Sequence, residues 1–225
     1  MLKKCLSGFV LCVALGAVAL TACGENKAEK KMATIMKTIA LPAPQTTGGK
    51  PLMQALSERK TTRTFSDKKI PMQTLSNLLW AANGVNRPAD KMRTSPSAHN
   101  AQEVEIYVST AEGTYIYDAY ANQLKQINEQ DIRAATGKQD FVATAPVNLV
   151  YVADYSRFKK DDDETAKFYS ATDTGFVSQN VYLFCASEGL VTMVRGYIDR
   201  PALEKLLGLN EKQHVILAQS VGYPK

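Results

Sequence analysis

Apolar residues recur along the chain at both helical and strand spacing, which predicts one mixed α and β domain. Leu52, Ala55 and Leu56 follow Pro51 at helical spacing, and Pro fits the first turn of a helix. The other predicted helices cover residues 71–83, residues 165–188 and a short stretch after Asp199. Gly84 and Gly189 are expected to end the first two, as a glycine at the C′ position does.

Strand-like patterns complete this picture. Residues 104–108 and 114–117 alternate and are joined by Ala111-Glu112-Gly113, which predicts a hairpin. Residues 147–153 form a nearly continuous apolar run, as expected for a strand buried in the centre of a sheet. The polar stretch 119–137 is expected to be weakly helical, and residues 141–145 to end a helix before Pro146.

The N-terminus carries the pattern of an export signal. Lys3 and Lys4 precede an apolar run over residues 6–20, which is short for a membrane span. The run ends in Leu-Thr-Ala-Cys23-Gly24, which resembles a bacterial lipobox, so residues 1–22 are expected to be removed and Cys23 to be lipidated. An ordinary signal cleaved near Ala22 and an uncleaved anchor are the alternatives.

Lipidation would place the protein in the bacterial cell envelope, as a lipid-anchored protein of the outer membrane or the periplasmic face. Gly24 rather than Asp follows the Cys, which favours the outer membrane where an Asp retention signal is used. Residues 23–50, which are rich in Lys and Glu and then in Pro, Thr and Gly, are expected to form a flexible tether. The folded domain would then comprise residues 51–225.

Composition narrows the function classes. The chain has 225 residues, of which 45% are hydrophobic, which fits one domain with a core of its own. The net charge of +5 is carried by scattered residues, so no nucleic-acid partner is expected.

Cysteine and histidine are scarce in the expected mature domain. Loss of Cys5 and Cys12 with the signal and lipidation of Cys23 would leave one free thiol, that of Cys185. Its apolar helical surroundings indicate a core residue rather than a nucleophile. With one such thiol and two histidines, no protein metal site is expected, and the acidic run over residues 161–163 has nothing nearby to complete one.

Two short polar segments are the candidates for chemistry. In residues 96–102, here called the amide segment, Ser97 can cap a turn that begins at Ala98, while the amides of Asn100 and Gln102 could read a planar heterocycle. The alternative is a capped turn with no ligand. His99 is interpreted as a loop residue rather than a proton donor.

Residues 59–63, here called the cationic segment, place Arg59, Thr61 and Arg63 on one side of an extended chain. Two guanidinium groups and a hydroxyl suit a phosphate, and a solvated basic turn is the alternative.

Three motifs in order resemble the nitroreductase family of FMN-dependent oxidoreductases. They are Arg-x-Thr-x-Arg-x-Phe in the cationic segment, Pro-Ser-Ala-x-Asn-x-Gln in the amide segment, and Gly-Leu-x-Thr, Leu-Gly-Leu and Gly-Tyr-Pro near the C-terminus. The resemblance covers the chain from about residue 51. It implies an α+β, three-layer fold with a mostly antiparallel central sheet flanked by helices, and a homodimer with FMN at the interface.

The resemblance also implies a cofactor site. Arg59 and Thr61 would bind the FMN phosphate, Arg63 would lie nearer the ring, Asn100 would bond the pyrimidine edge, and backbone amides of residues 191–196 would face N5 and O4. Arg63 and Asn100 would tune the flavin, and no side chain is expected to act as acid or base. The implied cofactor-binding residues are Arg59, Lys60, Thr61, Arg63, Pro96, Ser97, Ala98, Asn100, Gln102, Met193, Val194, Arg195, Gly196 and Lys225.

The long helix would form the dimer core. It carries the motif over residues 173–180, and the small or aromatic line Ala171, Gly175, Ser178 and Tyr182 offers a close approach to another helix. Relatives often place a phosphate-binding cation several residues after the Gly-Tyr-Pro motif. This chain stops at Lys225, so Lys225 would serve as that cation. The long C-terminal arm that wraps the partner in many relatives is also missing.

The implied activity is ping-pong transfer through flavin N5, from NAD(P)H or another reduced donor to a nitroaromatic, quinone or similar small acceptor. NAD(P)H is not expected outside the cytoplasm, so export would leave the identity of the electron donor undecided. Two alternatives also stay open: an azoline-type substrate dehydrogenase, and a flavin- or solute-binding lipoprotein without turnover.

Overall fold

The computed structural model describes residues 35–158 and 162–225. Its four α-helices over these residues lie where the periodicity predicts them, and each begins at a Pro or an Asp. They are α1 (Leu52–Glu58), α2 (Met72–Asn83), α3 (Asp163–Glu188) and α4 (Arg200–Leu207). Over the described ranges, none of the helices has the length and apolarity needed to cross a membrane.

The helix ends show why the chain folds this way locally. Asp162 and Asp199 accept hydrogen bonds from backbone amides in the first turns of α3 and α4, as N-cap residues do. Gly189 ends α3 in the left-handed conformation. Gly84 ends α2 as predicted, and its backbone there is extended (φ −77°, ψ 169°).

The strands form one large antiparallel sheet and a small hairpin. Seven strands lie in the order β1-β6-β5-β4-β7-β9-β8, and every neighbouring pair in this sheet is antiparallel. The strands are β1 (Lys37–Ala40), β2 (Val85–Arg87), β3 (Met92–Arg93), β4 (Val104–Thr110), β5 (Gly113–Asp118), β6 (Gln123–Asn128), β7 (Val147–Asp154), β8 (Val191–Arg195) and β9 (Gln213–Gly222), of which β2 and β3 pair only with each other.

The core lies on both faces of the central strand β7. One face packs with α2 and α3 through residues such as Leu79 and Val181, and the other packs with α4 through residues such as Val152 and Leu203. Because β7 is buried on both faces, its continuous apolar run is explained. The three-layer α+β arrangement with an antiparallel sheet is confirmed, and Cys185 lies buried in the core as expected.

Two stretches differ from the expectation. The expected tether is not flexible over its whole length, because β1 pairs in register with β6 and Leu41 after it is buried. The expected weak helix over residues 119–137 is instead β6 followed by a 3-10 turn (Arg133–Thr136). β6 contributes few apolar side chains, and its pairing with β1 and β5 decides its conformation.

Removing residues 1–50 should destabilise the domain relative to removing residues 1–34. The shorter variant loses β1, leaves the edge of β6 unpaired and exposes the partners of Leu41. Burial of one Leu side chain contributes about 2 kcal/mol, which corresponds to a fall in Tm of roughly 4–8 °C for a domain of this size. Thermal unfolding of the two variants tests this, and equal Tm values would contradict the structural role of β1.

Candidate active site

The cationic segment lies between the C-terminal half of α3 and the edge strand β8. The amide of Thr62 donates to the carbonyl of Thr192 at 3.0 Å, which pairs the segment with β8. The hydroxyl of Tyr182 on α3 accepts from the Val194 amide at 3.1 Å and bonds the Thr61 hydroxyl at 2.9 Å. Tyr182 therefore joins the cationic segment to β8, and the Arg59 guanidinium lies 5.3 Å from its ring centre.

The cations of this segment have no carboxylate partners. Among the described residues, Arg59, Lys60 and Arg63 make no ion pair. Lys60 and Arg63 are exposed and Arg59 is half-buried. Such a group of unpaired cations beside a hydroxyl can receive a phosphate.

The C-terminus approaches the same edge. Gly222, at the end of β9, pairs with Val191 at the start of β8, and the Tyr223 carbonyl accepts from the Ser66 amide at 3.0 Å. Lys225 follows two residues later and is exposed. Its backbone position is therefore close to the start of β8, which the cationic segment also contacts.

Tyr182→Phe should weaken anion binding at the cationic segment without unfolding the protein. The substitution removes the hydroxyl that bonds Thr61 and leaves the Val194 amide without its acceptor, which costs about 1–2 kcal/mol. We expect affinity for FMN, the cofactor that the resemblance implies, to fall about 5- to 30-fold. Fluorescence titration measures this, and an unchanged affinity would show that Tyr182 does not order the segment.

The amide segment lies on the N-terminal half of α3 in an unusual conformation. His99, Asn100 and Gln102 have φ values of 54°, 50° and 50°, which are rare for residues other than glycine. Asp173 of α3 accepts from the Ala98 amide at 2.8 Å. Each left-handed residue costs about 1 kcal/mol or more, so the surrounding contacts must hold the segment in place.

Ser97 has a different role from the expected cap. Its side chain makes no capping bond to the 3-10 turn Ala98–Asn100. It instead donates to Glu103 Oε2 at 2.9 Å and accepts from the Gln102 amide at 2.8 Å, so it closes the segment onto itself. The expected cap is wrong because the chain turns back at Gln102 before a regular helix can form.

The two amides of the segment differ in their availability. The Gln102 side chain accepts from Arg93 Nε at 2.9 Å and from the Tyr120 hydroxyl, and it donates to the Lys91 carbonyl at 2.9 Å. It also donates to Asn100 Oδ1 at 3.0 Å. Gln102 therefore orients Asn100, whose exposed amide nitrogen is the group of this pair that remains able to face a ligand.

Two buried carboxyl groups lie beneath the amide segment. Glu103 is fully buried and Asp173 is 3% exposed. Burial, and to a smaller degree the neighbouring Asp173 carboxylate, raise the pKa of the Glu103 carboxyl to about 7, although hydrogen bonds from the backbone and from Ser97 act to lower it.

The expected residues of β8 divide into two groups. Val194 is half-buried and Gly196 is exposed, whereas Met193 and Arg195 are buried. The Val194 amide is engaged by Tyr182, so its direction is set by the same hydroxyl that holds Thr61.

Arg195 points into the interior, away from the cationic segment. Its guanidinium donates to Ser220 at 2.8 Å, to Asn148 at 2.9 Å, and to the hydroxyl and carbonyl of Thr136 at 2.8 and 3.2 Å. Burial lowers its pKa to about 10, so it stays charged at neutral pH. Its side chain stabilises the packing of β7, β8 and β9, and only its backbone lies on the edge strand.

The structure thus brings Arg59, Thr61 and Val194 together and Ser97, Ala98 and Asn100 together, at two separate places on α3. Their helix contacts, Tyr182 and Asp173, are nine residues apart in sequence, which is about 14 Å along a helix. The cavity beside the amide segment has a volume of about 240 Å³, below the roughly 300–1,000 Å³ of small-molecule sites. At the amide segment, the described part of one chain therefore does not enclose enough space for a large cofactor.

Sequence reasoning missed Glu103 and the roles of Asp173 and Tyr182. Glu103 precedes a strand that also contains the half-exposed Glu105, so the sequence pattern does not distinguish a buried acid from a solvated one. The expected acidic cluster has ordinary roles in its described part: Asp162 caps α3 and Asp163 pairs with Lys212 at 2.9 Å, whereas Asp161 lies outside the described residues.

Comparisons with known proteins identify the family. The Nitroreductase family model matches residues 56–223. A protein of Methanocaldococcus jannaschii assigned to the nitroreductases is 29% identical over 181 residues, covering 76% of this chain and 90% of the relative.

Solved structures show the same fold. A crystal structure assigned to the nitroreductases, from Ralstonia eutropha, superposes with a TM-score of 0.81 at 40% identity and covers 85% of this chain and 91% of its own. The NADPH:FMN oxidoreductase of Vibrio harveyi superposes with a TM-score of 0.60 at 21% identity, covering 77% and 69%, which shows a shared fold. The chain belongs to the nitroreductase family of oxidoreductases.

Proposed function

We propose that the protein is an FMN-dependent oxidoreductase that transfers a hydride or electrons between a reduced donor and a small acceptor. The observation that carries this proposal is the group of cations without carboxylate partners at residues 59–63, held beside a hydroxyl and the edge of β8. That donor set fits the phosphate of a flavin mononucleotide, which needs charge and hydrogen-bond donors together.

When bound, the flavin supplies the redox chemistry, accepting and releasing a hydride at N5. Arg59 and Thr61 would bind the phosphate, with Lys60 and Lys225 adding positive charge. Arg63 and the exposed amide of Asn100 would donate to the ring where negative charge develops. No described side chain needs to move a proton for this role.

We infer that two chains complete the site. Large apolar side chains of α1 and α3 are exposed in the single chain, including Leu52 at 63%, Met53 at 76% and Phe168 at 64%. Gly175 on α3 has open space beside it, whereas Ser178 and Tyr182 of the expected line are buried. A homodimer that buries these surfaces would bring the cationic segment of one chain toward the amide segment of the other.

The cellular setting follows from the N-terminal sequence. We propose that Cys23 is lipidated and that the protein is anchored in the cell envelope, facing away from the cytoplasm. There the donor would be a reduced carrier other than NAD(P)H, or an oxidisable substrate. Residues 1–34 lie outside the described residues.

Anaerobic reduction of the FMN-loaded dimer tests the proposed activity. NAD(P)H and a small reduced quinone serve as probe donors. We expect at least one of them to bleach the flavin absorbance, and a nitroaromatic or quinone to restore it in a separate second step. Ping-pong kinetics with parallel double-reciprocal lines would follow. A protein that binds FMN but is neither reduced by such donors nor reoxidised by such acceptors would instead be a flavin-binding lipoprotein without turnover.

A further inference from the structure

The buried acids beneath the amide segment have an arrangement that two ionised carboxylates cannot adopt. Glu103 Oε2 accepts from Ser97, but Glu103 Oε1 is buried and receives no hydrogen bond from any described donor. Asp173, which lines the same small cavity, already accepts from the Ala98 amide through Oδ2. Two adjacent negative charges in a cavity of about 10 Å³ would repel each other with little water to screen them.

A proton on Glu103 resolves both problems. A protonated carboxyl group is a hydrogen-bond donor, so Glu103 Oε1 would donate to the Asp173 carboxylate and would no longer lack a partner. We propose that Glu103 and Asp173 share a single proton, carried by Glu103, and that this proton locks the amide segment in its left-handed conformation. Glu103 and Asp173 are then positioning residues that act through Ser97 and Ala98. The inference rests on the proposed function in one respect: it takes the role of the amide segment to be the presentation of Asn100 to a flavin.

Among the described residues, the charged groups near the pair have contacts of their own. Arg93 on β3 lines the cavity, but its guanidinium bonds Gln102 and the Asn83 carbonyl. At the end of β7, the amide of Asp154 and the guanidinium of Arg157 bond the backbone carbonyls of Glu103 and Gln102. Glu105 pairs with Arg157, and His99 lies on the exposed side of the segment against Tyr169.

The sign of the pH effect follows from where the proton is held. In the closed segment the pKa of Glu103 is raised to about 7, whereas a solvated Glu has the ordinary value of 4.5. Opening the segment therefore releases a proton between these values, so opening becomes more favourable as pH rises through that window. Above about pH 7 both forms are ionised, and the effect levels off.

Amide hydrogen exchange of the apoprotein measures this opening without a cofactor. The reporters are the amides of Ala98, Asn100, Ala101 and Gln102, all hydrogen-bonded within or beneath the segment. After correction for intrinsic exchange, we expect protection in the unaltered protein to fall up to tenfold per pH unit between pH 5 and 7 and then to stay constant. In Glu103→Gln, which keeps a donor toward Asp173, protection should be independent of pH.

Two further variants complete the test. Asp173→Asn removes the negative charge but keeps an acceptor for Ala98. Because Glu103 stays buried in this variant, burial still raises its pKa, so protection should fall over a narrower pH window than in the unaltered protein. His99→Gln removes the ionisable side chain of the amide segment itself, and it should keep the full slope. A slope that persists in Glu103→Gln, vanishes in His99→Gln, or is absent from the unaltered protein would overturn the proposal.

A second readout separates this inference from the proposed function. If FMN binds, its dissociation rate should rise with pH over the same window in the unaltered protein and stay constant in Glu103→Gln. If FMN does not bind at all, the proposed function fails, while the exchange measurement still decides whether the proton is shared.

Discussion

Arg59→Ala should lower the affinity for FMN by about 10- to 100-fold. A hydrogen bond to a charged group contributes about 1.5–3 kcal/mol, and each 1.4 kcal/mol is about a tenfold change in affinity. Arg59 is held over the ring of Tyr182 and has no carboxylate partner among the described residues, so its charge is available to a phosphate. Fluorescence titration with FMN measures the change.

The matched control is Lys205→Ala, which removes an exposed cation from α4 on the opposite face of the sheet. It should leave FMN affinity unchanged apart from a small effect of net charge. Equal losses in both variants would show that FMN responds to total charge rather than to the cationic segment. Free riboflavin, which lacks the phosphate, should bind equally weakly to Arg59→Ala and to the unaltered protein.

Arg195→Ala should destabilise the fold by about 3 kcal/mol, which corresponds to a fall in Tm of roughly 6–12 °C. The substitution leaves a cavity and removes the shared donor of Ser220, Asn148 and Thr136, all of which are fully buried. Buried polar groups without partners cost about 1–3 kcal/mol each unless they find one another. Chemical denaturation of the FMN-free protein measures the loss.

Arg200→Ala is the comparison for this prediction. Arg200 is half-buried and donates to the carbonyls of Val215 and Ile216 on β9, which water can reach after truncation. We expect a loss of about 1 kcal/mol. If the two substitutions lower the free energy of unfolding equally, the buried polar network around Arg195 has no special part in joining β7, β8 and β9.

The sequence predicted the parts of the fold that local pattern controls. The helices after Pro51, Pro71 and Asp199 begin and end where Pro, Asp and Gly signal, because caps act within a few residues. The strand over residues 147–153 was recognisable because it is buried on both faces. β1 and β6 were missed because both contain many polar residues and are held by pairing. β6 pairs with the preceding strand β5 and with β1, which lies more than 80 residues away in sequence.

The candidate site was predictable in its residues but not in its arrangement. Motif spacing identifies the cationic and amide segments. It does not show that the Gln102 side chain is hydrogen-bonded to Arg93 and Tyr120, or that the Arg195 side chain points into the interior. Burial of Glu103 depends on α3, whose Asp173 lies 70 residues further along the chain. Such contacts between distant segments leave no local pattern in the sequence.

An absorption spectrum tests the central claim most directly. It is recorded on a purified protein that begins at Ile35, so that β1 is kept. We predict the two absorption bands of an oxidised flavin, with one FMN released per chain on heating and a dimer by light scattering. A colourless protein that binds no added FMN, in a folded state with a cooperative thermal transition, would contradict the proposed function.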